Sequence, residues 1–266
     1  QRQMCIRDSW DTHAAEIKKV VFKAGFRDET HTTCSKWFSG CTNLTSIEGI
    51  ENLNTSNVKY MNEMFGQCSN LETLDLSHFN TEKVGNMSNM FNGCTKLRDL
   101  NISSFNTENV TNMYGMFYGC SSLETLDLSH FNTRYVRKDG MNYMFNGCSS
   151  LSSLDVSNFI TDKNSMHLDG LFQGCSSLQT LDLSSFDTRG AGSVNYLFDG
   201  CSALQTIYVS DLFKIYGVTS SNMFRDCHSL KGAISFEPTK KNETYANYKS
   251  GYLTKKVGTN GNEIIG

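Results

Sequence analysis

The chain has 266 residues, of which 38% are hydrophobic and 19% are charged, and its formal net charge is −3. This composition is typical of a folded protein, and no apolar run approaches the length of a membrane span. The slightly acidic balance lacks the basic surface that phosphate binding needs, which argues against nucleic acid as a partner.

The N-terminal segment is predicted not to belong to the repeated part of the chain. Residues 1–9 resemble a translated sequencing adapter, and we expect them to be foreign to the fold and the natural N-terminus to lie upstream. Residues 10–35 are predicted to form an N-terminal cap, because the β-branched apolar segment 17–22 is typical of a strand that could cover the first coil.

A repeat of about 26 residues occupies positions 36–230. Eight cysteines recur at steps of 27, 26, 26, 28, 27, 26 and 26 residues, each with Phe three positions before it and Leu three positions after it. They are Cys41, Cys68, Cys94, Cys120, Cys148, Cys175, Cys201 and Cys227. Matching triplets at a nearly constant period predict a solenoid of about eight stacked units, the last of them partial.

Each unit is predicted to contain a strand, a turn and a short helix. Leu126 and Leu128 alternate with polar residues, as in a strand with one buried face. In segment 84–94 apolar residues recur every three or four positions, which indicates one face of a helix. Thr81 or Asn80 stands at its expected N-cap. Glycines before the cysteines suit a left-handed helix end: Gly93, Gly119, Gly147, Gly174 and Gly200.

The resulting fold class is an α/β repeat solenoid with a parallel sheet on one face. Two extra residues enter at Arg137–Gly140 and one enters within Asp162–Gly170. Since both insertions fall between the predicted strand and helix, we expect bulged corners on the side away from the strands.

The C-terminal region departs from the repeat. Residues 231–254, with Pro238 and then Tyr245, Tyr248 and Tyr252, are predicted to form a C-terminal cap of a strand and an aromatic cover. Residues 255–266 are polar and contain glycine, so we expect a tail or linker that is truncated at its end.

Two stretches of the repeat resemble a known family. Residues 120–133 (Cys-Ser-Ser-Leu-Glu-Thr-Leu-Asp-Leu-Ser-His-Phe-Asn-Thr) and 109–117 (Asn-Val-Thr-Asn-Met-Tyr-Gly-Met-Phe) resemble the 26-residue repeat of BspA-like leucine-rich-repeat surface proteins. Segments 37–58 and 245–254 look like that family's opening coil and closing segment. The resemblance covers about residues 14–254. It implies a leucine-rich-repeat-like fold and a secreted or surface-anchored protein of a bacterium or host-associated protist, often linked to adhesion.

The repeat cysteines are predicted to be structural. They occupy one position of the unit and should form a column with neighbours about 4.8 Å apart. A straight column does not bring four sulfurs to one point, as tetrahedral zinc requires. Disulfides between adjacent coils need Cβ atoms about 3.8 Å apart, so alternating disulfides are the weaker alternative. Cys34 stands outside the column and is the candidate for a local disulfide. We expect no metal and no cofactor.

The outward positions of the predicted strands are the candidate binding surface. On what should be the concave face they read Glu48, Asp75, Asn101, Asp127, Asp155, Asp182 and Tyr208. One interpretation is that Asp is the default residue of the repeat there, hydrated and bonded to Ser and Thr neighbours. The other is an acidic stripe that binds a cationic partner or, weakly, Ca²⁺.

No order of residues suggests a nucleophile with its base, so we predict that the chain is not an enzyme. The favoured hypothesis is an extracellular or cell-surface recognition or adhesion module. Its partner would be a protein or glycan on host matrix or neighbouring cells, bound through the solenoid face. The alternative is a structural spacer that presents another domain, and a non-catalytic part of a larger enzyme is less favoured.

Overall fold

The computed structural model describes residues 13–162, 165–220 and 222–256. In this part the chain winds into a parallel solenoid of about 7 turns. The predicted adapter segment and most of the predicted tail lie outside the described residues. Within the described ranges, no helix is both long enough and apolar enough to cross a membrane.

The strands are short and pair in parallel with those of neighbouring coils. They are β1 Lys19–Val21, β2 Ser46–Glu48, β3 Thr73–Asp75, β4 Asp99–Asn101, β5 Met166–His167, β6 Thr180–Leu183, β7 Ala191–Ser193, β8 Thr206–Val209 and β9 Thr254–Lys255. The pairs are β1–β2, β3–β4, β5–β7, β6–β8 and β8–β9.

The register of these strands is that of the sequence repeat. Leu74 lies opposite Leu100, and Leu181 lies opposite Ile207. In the middle coils, segment 126–128 keeps the predicted alternation, with Leu126 and Leu128 buried, but it is not a regular strand. The parallel sheet is therefore interrupted along the strand face.

The predicted short helix is not formed. The segments that carry the Met-x-x-Met-Phe-x-x-Cys pattern, such as 61–68, are successive turns, which we call the turn columns. The Met64 N–H donates to the Met61 carbonyl three residues back at 3.2 Å, whereas the Phe65 N–H donates to Met90 of the next coil at 2.9 Å. A helix would satisfy these groups within itself. Among the described residues only four short 3₁₀ helices occur: Ala14–Glu16, Ala24–Asp28, Ile50–Asn52 and Glu243–Tyr245.

The five glycines predicted to end a helix before the cysteines adopt the left-handed conformation, with φ between 71° and 75°. They end a turn rather than a helix. A second column of left-handed residues lies four positions earlier and includes Glu63, Asn89, Tyr143 and Tyr196, with φ between 54° and 57°. This backbone is sparsely populated by residues other than glycine, and here the bonds to both neighbouring coils hold it in place.

A column of phenylalanine rings forms the centre of the core. Consecutive rings from Phe38 to Phe224 have centroids 5.3 to 6.0 Å apart and are tilted by 2° to 19°. Phe22 contacts the first ring edge-on at 6.2 Å, and Tyr252 contacts the last at 5.2 Å. Both ends of the column are thus covered by an aromatic ring set across it.

A column of buried threonines joins the coils at one corner. The Thr81 hydroxyl accepts from the Asn106 N–H at 2.7 Å and donates to the Asn106 carbonyl at 2.9 Å. The N-cap role expected for Thr81 or Asn80 is therefore wrong, because no helix follows and the hydroxyl bonds to the next coil. Thr55, Thr107, Thr133, Thr161 and Thr188 occupy the same position and are also buried.

Candidate functional site

The acidic residues of the strand face are held by their own backbone. In four coils the aspartate Oδ1 accepts a hydrogen bond from the N–H two residues later, at 2.9 to 3.0 Å. These pairs are Asp75–Ser77, Asp127–Ser129, Asp155–Ser157 and Asp182–Ser184. Asn101 makes the same bond to Ser103 at 3.2 Å. Each side chain therefore closes a turn at the end of its strand segment.

These bonds also favour the charged form of the carboxyl groups. The Ser77 N–H and hydroxyl lower the pKa of Asp75, and Ser129 does the same for Asp127. Both side chains are exposed, so they present negative charge to solvent at neutral pH.

Lysines occupy the two ends of the acidic stripe. Lys19 of β1 forms an ion pair with Glu48, and Lys256 forms one with Asp182. Burial raises the pKa of Asp182, but Lys256 and Ser184 outweigh it and lower that pKa overall. Among the described residues, this leaves Asp75, Asp127 and Asp155 without a lysine or arginine partner.

The remaining predicted positions complete the row. Tyr208 lies in β8 opposite Asp182 and is half-buried. The described ranges contain no group of three His, Cys, Asp or Glu side chains that could hold a metal ion. The row is thus a line of single side chains, one in each coil and five of them carboxylates, rather than a convergent cluster.

The cysteines of the described residues are all buried and free, Cys34 included. From Cys68 onward each thiol donates to the carbonyl of the phenylalanine in the preceding coil, with Sγ–O distances of 2.9 to 3.2 Å. Burial raises the pKa of Cys94, Cys148 and Cys201 to about 12. These thiols stay protonated at neutral pH and are poor nucleophiles.

A groove along the turn columns was missed by the sequence analysis. Its floor is formed by Tyr60, Asn86 and Asn112 of three successive coils, whose backbones pair through isolated parallel β-bridges. Its wall is the inserted segment Arg137–Gly140. The groove has a volume of about 620 Å³. Its signal in the sequence is the two-residue insertion, which by itself predicts only a bulged corner.

The inserted segment is fixed at both ends to the neighbouring coil. The Arg137 N–H donates to the Thr111 carbonyl at 2.9 Å, and the Gly140 carbonyl accepts from the Met113 N–H at 2.8 Å. Lys138 and Asp139 are the two extra residues between these contacts. A Cβ at Gly140 would lie 2.6 Å from Val136 Cγ1 and 3.0 Å from the Thr111 carbonyl, so only glycine fits where the segment rejoins the coil.

The solved structures to which this chain is similar include the following three. A leucine-rich repeat protein from Bacteroides ovatus is 18% identical, with 81% of this chain and 62% of that chain covered and a TM-score of 0.46. An internalin from Listeria monocytogenes is 15% identical, with 85% and 72% covered and a TM-score of 0.25. A TLR13–ssRNA13 complex is 17% identical, with 88% and 41% covered and a TM-score of 0.31. The chain spans less than two thirds of the first and last of these proteins.

The family comparison covers most of the repeat. No curated protein matches the sequence. The family model described as "Mycoplasma protein of unknown function, DUF285" matches residues 32–159 and 125–237, well over half of the chain. The chain therefore belongs to the DUF285 family, and its predicted recognition as a BspA-like leucine-rich-repeat protein is confirmed.

Proposed function

We propose that the chain is a non-catalytic recognition module, outside the cell or on its surface, that binds a positively charged macromolecular partner through the strand face. The observation that carries the proposal is the row of exposed aspartates, each fixed by a hydrogen bond to its own backbone. Side chains that are already ordered lose little conformational freedom on binding, which favours affinity. Their charge would steer a basic partner to the surface.

The cap assignments belong to the same proposal. We infer that residues 10–35 and 231–254 close the solenoid of residues 36–230, with 255–266 as a tail. The ring contacts of Phe22 and Tyr252 with the ends of the phenylalanine column support this division. A closed solenoid would present its faces to a partner without exposing its core.

The test removes charge without removing the turns. In the triple variant Asp75→Asn, Asp127→Asn and Asp155→Asn, each amide should keep the backbone bond, because Asn101 makes that bond in the same column. We expect binding to immobilised host-matrix proteins to be saturable and salt-sensitive for the parent chain and about tenfold weaker for the variant.

The control variant carries the same change in charge elsewhere. Glu51, Glu82 and Glu108 are exposed and lie off the strand face, so their replacement by Gln should leave binding unchanged. Equal binding by the parent chain and the aspartate variant would refute the role of the strand face. No saturable binding at all would favour the second candidate, a stiff spacer, which the continuous phenylalanine column supports.

A further inference from the structure

The floor of the groove on the turn columns is joined from coil to coil by backbone hydrogen bonds, and its main-chain groups are already paired. The Met61 N–H donates to the Asn86 carbonyl and the Met87 N–H donates to the Asn112 carbonyl, both at 2.9 Å. A peptide therefore cannot add to this floor as an extra strand through main-chain hydrogen bonds. Recognition in the groove has to rely on side chains.

Two side-chain amides on the floor have a defined orientation. Asn86 Oδ1 accepts from the Ser88 N–H, and Asn112 Oδ1 accepts from the Tyr114 N–H, both at 2.9 Å. These bonds fix which end of each amide faces its own turn. In the described part of the chain, neither Nδ2 group contacts an acceptor, so two donors remain for a ligand oxygen.

Aromatic rings border the amides. Tyr60 is 52% exposed and Tyr114 is 38% exposed, and both line the groove. Tyr114 is held by an edge-on contact with Tyr143, whose ring centroid lies 5.8 Å away. Exposed aromatic faces beside hydrogen-bond donors suit a ligand with an apolar face and polar edges, and a sugar ring has this character.

The wall of the groove is positively charged. Arg137 and Lys138 are exposed, and no carboxylate among the described residues lies within ion-pair distance of them. The one acid of the wall, Asp139, is bonded instead to His167 Nδ1 at 2.7 Å. A guanidinium and an ammonium that have no carboxylate partner in the described part of the chain favour an anionic group on the ligand, above all a planar carboxylate.

We propose that this groove binds a carboxylate-bearing sugar. Its ring stacks on Tyr60 or Tyr114, its hydroxyls accept from the Asn86 and Asn112 amides, and its carboxylate pairs with Arg137 and Lys138. The site depends on the two-residue insertion, so it occurs once among the coils that the structure describes and is independent of the acidic strand face. It therefore confers a specificity that the regular coils do not provide.

The test compares each acidic sugar with a neutral counterpart. Isothermal titration calorimetry and saturation-transfer NMR would be run with 3′-sialyllactose against lactose, and with a galacturonate oligomer against the matching galactose oligomer. We expect at least one acidic sugar to bind about tenfold or more tightly than its neutral counterpart. Equal binding within both pairs, or no binding of any of them, would overturn the proposal. A glutamate oligopeptide that bound as tightly would show a general anion site and would also overturn it.

Variants place the sugar in the groove. Arg137→Gln with Lys138→Gln should remove the preference for the acidic sugar, and Tyr60→Ala should weaken both members of a pair. The matched controls are Lys96→Gln with Arg98→Gln, which removes the same two charges, and Tyr216→Ala; all three residues are exposed outside the groove, and these changes should have no effect. The assignment would be contradicted if the control variants lost binding, or if the groove variants bound the sugars as well as the parent chain does. The strand-face aspartate variant should bind the sugar normally, which separates this proposal from the one above.

Discussion

Replacing Thr107 by Val tests whether the threonine column holds the coils together. The Thr107 hydroxyl accepts from the Asn132 N–H at 2.7 Å and donates to the Asn132 carbonyl at 3.0 Å, and the residue is 1% exposed. Valine has almost the same shape, so the change leaves two backbone groups of Asn132 without partners. Each buried group left in this way costs about 1–3 kcal/mol. Since Asn132 is only half-buried, we expect a total loss of about 2–3 kcal/mol.

The measurement should report on the coil itself, because long repeat arrays can unfold in parts. Native-state hydrogen exchange should therefore be read at amides of the same coil whose bonds the substitution leaves intact, such as Phe131, bonded to the Leu128 carbonyl, and Val136, bonded to the Thr133 carbonyl. Their exchange should accelerate by roughly 30-fold to 150-fold, the factor that corresponds to this free energy. The urea midpoint should fall in parallel.

Two controls separate the hydroxyl from other effects of the substitution. Thr107→Ser keeps the hydroxyl and should cost about 1 kcal/mol or less. Thr125→Val changes an exposed threonine of the neighbouring coil and should stay within about 0.5 kcal/mol of the parent chain. The reasoning fails if Thr107→Val is no worse than Thr125→Val, or if Ser is as damaging as Val.

Three further changes test the core and the turns. Burial raises the pKa of the Cys148 thiol from 9.0 to about 12, so the stability that comes from keeping this thiol protonated is fully present below pH 9. Between pH 9 and pH 12 the free energy of unfolding falls by up to about 1.4 kcal/mol for each pH unit. Circular dichroism should therefore show unfolding at alkaline pH, and the free energy should fall less steeply with pH in Cys148→Ala. Phe117→Leu breaks ring contacts at 5.6 and 5.8 Å and should cost about 1–3 kcal/mol in urea unfolding, unlike exposed Tyr118→Leu. Gly147→Ala has room for a Cβ, but its φ of 73° should cost about 1–2 kcal/mol by the same measurement.

The sequence predicted those features that repeat with the unit. The Phe-x-x-Cys-x-x-Leu triplet identified the solenoid, and alternation at Leu126 and Leu128 identified the buried positions of the strand face. The left-handed glycines were also predictable, because glycine is the default residue for positive φ. Each of these signals lies within a few residues of the chain.

The helix was wrong because its signal is ambiguous. Apolar residues every three or four positions fit a helix and also fit consecutive turns closed by bonds three residues back. The two structures differ in the acceptors of every second N–H group. In the turns these groups donate to carbonyls of the next coil, about 26 residues away, rather than to carbonyls of the same segment. Glu63 and Tyr143 gave no local sign of a left-handed backbone, since neighbouring coils impose it.

The two exposed surfaces differ in how they relate to the repeat, and this difference bears on recognition. Asp127 and the equivalent aspartates recur because each closes a turn with its side chain. The negative charge of the strand face therefore repeats with this structural role and varies little along the solenoid axis. The groove combines Tyr60 with Arg137 and Lys138, which lie almost 80 residues apart in sequence, and only an insertion brings them to one place. A uniform row suits a general attraction for basic partners, whereas discrimination between ligands needs groups that occur at one coil alone. The breaks in the 26-residue period are therefore the positions at which specificity would reside.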